Sequence, residues 1–288
     1  MTGQMLELRN ISKSFDGMKV LDDISLAVAD GEFVSIVGPS GSGKSTVLRL
    51  LTQALRPDSG AMLFNGAALE QTPHSFAFMP QRDALMPWRR IIDNAALGLE
   101  VKGMARRAAR AAVAPLFERF GLAGFEHHYP ASLSGGMRQR AALLRTVIQE
   151  QDMLLLDEPF GALDALTRTQ IQEWLQGMWT EHRWTALLIT HDVREAVFLS
   201  DRIYVLSARP ARVIREFRVP LPRPRSIADL GSPAAQAIET EILQTLLHPL
   251  EQDGFRPVGP KSESCSNLKS WSLMSFENRT FRRHALKT

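Results

Sequence analysis

Nine residues, Gly38-Pro39-Ser40-Gly41-Ser42-Gly43-Lys44-Ser45-Thr46, fit the spacing G-x-x-x-x-G-K-[ST]. Glycines so spaced let successive backbone N–H groups turn inward on phosphate oxygens. The lysine then reaches the β- and γ-phosphates, and the hydroxyl of Ser45 is a ligand for Mg²⁺. Gly38, Ser40, Gly41, Gly43, Lys44, Ser45 and Thr46 are therefore the candidate nucleotide-binding residues of this stretch.

Three other short runs carry chemistry that such a loop would need. "MLLLDEP" puts Asp157 and Glu158 at the carboxyl end of an apolar run, the edge where open α/β sheets bind ligands. Beside a phosphate loop, Asp157 suits a Mg²⁺ ligand and Glu158 a base that orients and deprotonates the attacking water. Without that loop the pair would read as a helix cap. "LLITHD" ends the next apolar run on His191, placed to contact a γ-phosphate. Gln81, in "MPQRDALMPW", follows another short run and offers a neutral donor and acceptor to Mg²⁺ or water, at a point that could also hinge. Phe15, in "ISKSFDG", is an aromatic in a turn ahead of the loop, and either stacks on a base or packs.

A second glycine-rich turn, Ser-Gly-Gly, then raises a question. In "LSGGMRQR", Ser134, Gly135 and Gly136 open a helix whose Met137, Ala141, Leu144 and Ile148 share one face, with Arg138, Arg140 and Arg145 elsewhere. Its N-terminus is either another anion site or a plain serine cap.

These residues need a frame, and the hydrophobic pattern supplies one. "MLELRNI" and "ISLAVA" alternate as half-buried strands do, and "EFVSIV" is continuously apolar as a central strand, leading through the loop into the helix "STVLRLLTQAL". "GAMLFNG" and "HSFAFMPQ" are further strands. From 84 to 150 the pattern turns helical, in "RRIIDNAALGLEVKGM" and "ARRAARAAVAPLFERFGL". After 151 strands and helices alternate again ("MLLL", "ALTRTQIQEWLQGMW", "TALLIT", "REAVFLS", "RIYVLS", "RVIREFRV"), which predicts a parallel sheet covered on both faces. "PLPRPR" from 220 breaks the chain, and "SPAAQAIETEILQTLLHPLEQ" closes it as a helix. The expected organisation is an α/β core from 1–83 and 151–222, a helical insert at 84–150 and a helical segment at 223–254.

Composition removes other classes. The chain has 288 residues, 44% hydrophobic and 23% charged, enough for a real core. Its apolar runs fall far short of the roughly 18 residues of a membrane span. The start, "MTGQMLELRN", shows neither a basic leader nor an apolar signal core, and the single Cys265 rules out a disulfide within the chain, so a cytosolic placement is expected. Residues 255–288 hold seven Lys/Arg against Glu263 and Glu277, a net +5, which leaves −2 for the rest of a chain whose total is +3. That Ser-rich tail is expected to be a disordered basic segment. The body lacks the basic footprint of a nucleic-acid binder.

Taken in order, "GPSGSGKST", "PQ" at Gln81, "LSGGMRQR", "LLLDEPFGALD" and "ITHD" resemble the ATP-binding cassette family, the nucleotide-binding subunits of ABC transporters, over about residues 5–220. The resemblance implies a P-loop NTPase core with a mixed, largely parallel sheet, an antiparallel β subdomain and an inserted α-helical subdomain. It implies ATP and Mg²⁺, and a head-to-tail pair of copies in which Ser134, Gly135 and Gly136 of one copy bind the γ-phosphate on the other copy's loop. Asp164, in the "GALD" turn, matches the residue through which the family's two sites communicate, and Phe15 matches its adenine-stacking aromatic. Membrane-spanning permease partners, fed by a solute-binding protein, follow from the same resemblance, with this chain at the cytoplasmic face of the inner membrane.

Within the family, Pro87-Trp88-Arg89 and "PLPRPR" look like the ATPases of nitrate, sulfonate, taurine and thiamine-precursor importers. That group usually shows Arg-Pro-Gly-Arg where this chain has Arg209-Pro210-Ala211-Arg212. Because Ala resists positive φ, a different turn is expected there. Two other readings predict features that the sequence lacks. A cassette ATPase acting on nucleic acid would carry a long coiled-coil insert or a second cassette, and a small-molecule kinase gives no reason for LSGGMRQR.

Overall fold

The protein is described here from a computed structural model covering residues 3–72 and 76–248. The expectations for the tail, and for the end of the closing helix, lie outside the described residues.

The chain begins with a long hairpin of strands β1 (Gln4–Phe15) and β2 (Met18–Ala29). Asp16 and Gly17 join them, both at positive φ, the two-residue turn whose twist matches that of paired strands. With β4 (Ser59–Phe64) and β5 (Ala67–Ala68) they form an antiparallel sheet in the order β2-β1-β4-β5. The alternation seen in the sequence is realised: Leu6, Leu8, Ile24, Leu26 and Val28 turn inward.

The second sheet carries the site. It comprises β3 (Phe33–Val37), β6 (Phe76–Met79), β7 (Met153–Asp157), β8 (Thr185–Thr190), β9 (Arg202–Leu206) and β10 (Val213–Arg218), in the order β10-β9-β3-β8-β7-β6. All neighbours are parallel except β10 on β9. Side chains two apart share a face, so each central strand feeds two cores. Val34, Ile36, Leu155 and Leu187 pack toward the antiparallel sheet and helix α1 (Lys44–Leu51), while Phe33, Val37, Leu156 and Leu188 pack toward the other helices. That two-sided burial explains why β3, β7 and β8 read as continuous apolar runs.

Between β6 and β7 lie only helices: α2 (Ile91–Ala95), α3 (Leu97–Val101), α4 (Arg106–Val113), α5 (Leu116–Arg119) and α6 (Gly135–Val147). The two long helical stretches expected there are each broken, the second at Pro115, which has no N–H to continue the ladder. The insert is locked by Asp93 on α2, buried under the guanidiniums of Arg106 and Arg110, whose four N–O distances run from 2.7 to 3.2 Å. Burial pushes the Asp93 carboxyl up, but the two cations outweigh it and hold it at about 2.

The remaining helices are α7 (Ala165–His182), α8 (Val193–Leu199) and α9 (Pro233–Leu247). The "PLPRPR" stretch does more than break the chain. Arg225 is buried and donates to the carbonyls of Val197, Phe198 and Ser200, while Arg223 donates to that of Leu199, so the pair caps the C-terminus of α8. Burial lowers the Arg225 guanidinium to about 10. The turn at Arg209–Arg212 has a simple outcome as well. Ala211 is not at positive φ. It is fully buried in a parallel bridge to Leu21, with N–H and C=O paired to Val20 O and Asp22 N at 2.9 Å each.

Candidate active site

Register decides what meets at the carboxyl edge of the parallel sheet. Val37 pairs with Thr190, Ile189 with Asp157, and Leu156 with Met79, so the segments after β3, β8, β7 and β6 all leave from one edge. The phosphate loop, Gln81, Glu158 and His191 thereby converge, although they span more than half of the chain.

The loop runs from Gly38 to Gly43 and ends on α1. Gly38 leaves little room for a side chain, since a Cβ there would lie 3.1 Å from the carbonyl of Leu206. Gly43 has φ +114, and a Cβ would fall 2.9 Å from Leu21. Lys44 is buried and donates to the carbonyls of Gly38 (2.8 Å) and Pro39 (2.9 Å), folding its ammonium over the loop. Burial pushes that ammonium down, against the charges of Glu158 and Asp157. Ser40 and Gly41 form the exposed tip, and Thr46 in the first helical turn donates its N–H to Gly43 O at 2.9 Å. The N-terminal amides of α1 suit this loop to cradling phosphate.

Asp157 is 6% exposed, and burial raises its carboxyl. Its described side-chain hydrogen bond comes from Ser45 Oγ at 3.5 Å, at the outer limit for such a bond. A buried carboxyl with so weak a partner, facing a hydroxyl, is an oxygen pair suited to a hard cation. Among the described residues no three His, Cys, Asp or Glu side chains cluster to hold a metal alone. A cation here would take its other ligands from phosphate and water, as Mg²⁺ does.

Glu158 follows at φ +47, a backbone conformation that side chains rarely adopt, held by its N–H on Ile189 O at 2.9 Å. Its carboxylate lies between two of the other candidate residues, a pairing that the sequence did not announce. Gln81 Nε2 donates to Oε2 at 3.0 Å, and His191 Nδ1 is 3.4 Å from Oε1. His191 is itself exposed.

Behind His191 stands a residue that the motif reading missed. Glu195, on α8, is 6% exposed; Thr190 donates its hydroxyl to Glu195 Oε2, and Gln172 Nε2 donates to Oε1 at 3.0 Å. Asp192 N–H donates to the Thr190 hydroxyl at 3.0 Å, and the Asp192 carboxylate caps Glu195 N at 3.1 Å. The turn bearing His191 is thus fixed from below. Burial pushes the Glu195 carboxyl up to about 7. The signal was present as Asp192-x-x-Glu195, the spacing of a capping box, but its use as a buttress depends on burial.

Ser134 caps α6, its Oγ accepting from Met137 N at 3.2 Å, and Gly136 lies close enough to Leu163 that a Cβ would sit 3.3 Å from it. Among the described residues, Ser134, Gly135 and Gly136 make no hydrogen bond to the phosphate loop of their own chain. The rest of α6 is bound into the site. Arg138 pairs with Asp83 at 2.9 Å, Arg145 donates to the carbonyls of Asp83 and Ala84 at 2.7 Å each, and Gln139 donates to Pro159 O at 2.7 Å. The helix therefore grips the segment after Gln81 and the segment after Glu158. Asp164 caps α7, accepting from Thr167 N at 3.0 Å, and Phe15 ends β1 exposed beside Lys13. No described helix is long and apolar enough to cross a membrane.

Comparison with known proteins fits this geometry. Residues 21–161 match the ABC transporter family. An aliphatic sulfonates import ATP-binding protein of Pseudomonas aeruginosa is 45% identical over 247 residues, 85% of each chain. A formylaminopyrimidine import ATP-binding protein of Halalkalibacterium halodurans is 41% identical over 221 residues, 76% of this chain and 86% of its own. Among solved structures, a dimeric bacterial ABC transporter cassette superposes with a TM-score of 0.69 at 30% identity, covering 75% of this chain and 99% of that one. The phosphate loop, the carboxylate pair and helix α6, which opens on the LSGGMRQR signature, thus stand on the scaffold of known cassettes, and the chain belongs to the ABC transporter family as one of its ATP-hydrolysing subunits.

Proposed function

We propose that this chain powers import of a small solute of the sulfonate, taurine or nitrate kind, or of a thiamine-precursor pyrimidine. It would act as a head-to-tail pair at the cytoplasmic face of the inner membrane, docked on permease subunits that a solute-binding protein supplies. The observation that carries the reading is the Glu158 carboxylate, held between Gln81 and His191 on the sheet edge that also bears the phosphate loop. Residues 1–83 and 151–222 form the nucleotide core in this reading, 84–150 the arm that presents the signature turn to the second copy, and 223–254 a closing helical segment.

The loop amides and Lys44 bind the β- and γ-phosphates of ATP, and Phe15 stacks on the adenine. Ser45, Asp157 and Gln81 would hold Mg²⁺, which when bound neutralises charge on the phosphate oxygens. Glu158 orients the attacking water and accepts its proton, a role for which a carboxylate fixed at two points is prepared. His191 contacts the γ-phosphate. Ser134, Gly135 and Gly136 of the second copy complete the cradle, and Asp164 lies at the turn that links the two sites. Closure by ATP and opening on hydrolysis would drive the permease. Both importer relatives named above favour this reading over a nucleic-acid ATPase.

The test is reconstitution of the chain with its permease in liposomes, adding solute-binding protein and a panel of sulfonates, taurine, nitrate and formylaminopyrimidine. One solute class should stimulate ATP hydrolysis and accumulate inside the vesicles. Hydrolysis indifferent to every solute and to the permease would overturn the importer assignment.

A further inference from the structure

The side chain of Arg209 lies on the phosphate loop, a contact that no motif announces. Its Nη2 and Nε donate to the carbonyl of Gly41 at 2.7 and 3.2 Å, and its Nη1 lies 3.4 Å from Met18 Sδ. Met18 pairs with Phe15 across the end of the first hairpin. One guanidinium therefore spans the tip of the phosphate loop and the hairpin end that bears the base-side aromatic.

The backbone beside Arg209 is held at several points. Ala211 is bridged to Leu21, Arg212 Nε bonds Asp22 at 2.8 Å, and Ser207 Oγ accepts from Arg212 N at 2.9 Å. The same stretch of β2 supports the loop directly, since Gly43 packs against Val20 and Leu21. Gly41 sits at φ +75 in the exposed tip, a conformation that glycine takes without strain. Its peptide is held at both ends: Arg209 fixes the carbonyl, and the following amide, Ser42 N–H, donates to Pro39 O at 3.2 Å. Pro39 O also takes the Lys44 ammonium.

We propose that Arg209 is a positioning residue for the nucleotide: by clamping the Gly41 carbonyl it fixes the plane of the Gly41–Ser42 peptide and so pre-shapes the loop for phosphate. The inference rests on the nucleotide reading of the loop. A guanidinium suits the task because its fork gives two donors to one oxygen and a third toward Met18, which a lysine cannot reproduce.

The experiment uses the full chain, with ATP and inorganic tripolyphosphate as probes. Arg209→Ala should raise the Kd for both probes by about tenfold, because with both donors to the Gly41 carbonyl gone the loop must be shaped as the phosphate binds. KM for ATP should rise with it while kcat falls much less, and the melting temperature without ligand should stay within about 2 °C, below the shift that a 1 kcal/mol destabilisation would cause. Arg209→Lys, with a single donor for Gly41 O, should recover part of the affinity, and Arg209→Gln supplies a second test if the alanine variant misfolds. Kd values within twofold of wild type overturn the clamp. So does weakening toward ATP but not tripolyphosphate, or a drop in melting temperature with proportional loss of kcat and no recovery in the lysine variant. Wild-type protein that binds neither probe overturns the nucleotide reading itself, whereas sound wild-type binding with an unaffected alanine variant overturns the clamp alone.

Discussion

Gln81 Nε2 lies 3.0 Å from Glu158 Oε2, although 77 positions separate the two residues in the chain. The contact ties the carboxylate proposed as base to the segment that α6 grips through Arg138 and Arg145.

Replacing the base should separate binding from chemistry. Glu158→Gln keeps the shape and can still meet Gln81 and His191, but it cannot accept a proton. Phosphate release at saturating ATP should fall by about 10²-fold or more, the usual worth of a general base, with ATP affinity retained. Asp157→Asn should instead weaken the dependence of hydrolysis on Mg²⁺ concentration. Wild-type turnover in the glutamine variant would remove Glu158 from the role.

The buried carboxyl of Glu195 predicts a pH effect with a definite sign. Its folded value of about 7 lies above the ordinary 4.5, so the folded chain binds more protons than the unfolded one between those limits. Stability should therefore decline as pH rises from about 4.5 through 7, by up to about 3 kcal/mol from this group. Glu195→Gln, which can accept from Gln172 and donate to the Thr190 hydroxyl, should flatten that part of the profile and melt higher than wild type at pH 8. Melting curves across this range decide it. Parallel profiles for the two proteins would show that Glu195 is not the group responsible.

Shared sites predict a rescue that sites within one chain cannot imitate. Lys44→Ala and Ser134→Arg, each in a Glu158→Gln background, should each fail to dimerise with ATP. Every homodimeric interface would pair a damaged element with a sound one. In the mixture, one composite site carries both lesions and the other joins an intact loop to an intact signature turn. ATP-dependent dimer should appear by size exclusion only when the two are mixed, and more weakly than in the parent. The same mixture assembled with permease, where the partners already hold the copies together, should recover ATP-dependent closure. Absence of rescue in both settings would show that Ser134 does not serve the neighbouring nucleotide.

Where an element and its function are local, the sequence by itself determined them. Gly38–Thr46 declares a phosphate loop because a strand, closely spaced glycines and a helix are contiguous, and the apolar runs of β3, β7 and β8 declare a sheet buried on both faces. Ser134 as a cap and the helical character of 84–150 were equally legible, since caps and periodicity span only a few residues. The Asp16-Gly17 hairpin went unread in the strand pattern, although the two-residue turn makes β1 and β2 longer than their alternating stretches suggest. Tertiary structure decided what long separations bring together. Arg209 reaches Gly41 across 168 positions, Arg225 closes the end of α8, and Glu195 becomes a buttress only because α7 and the strand end bury it. Arginine and glutamate are ordinary surface residues by type. Desolvation and a distant partner gave these their roles, and neither is written in local spacing.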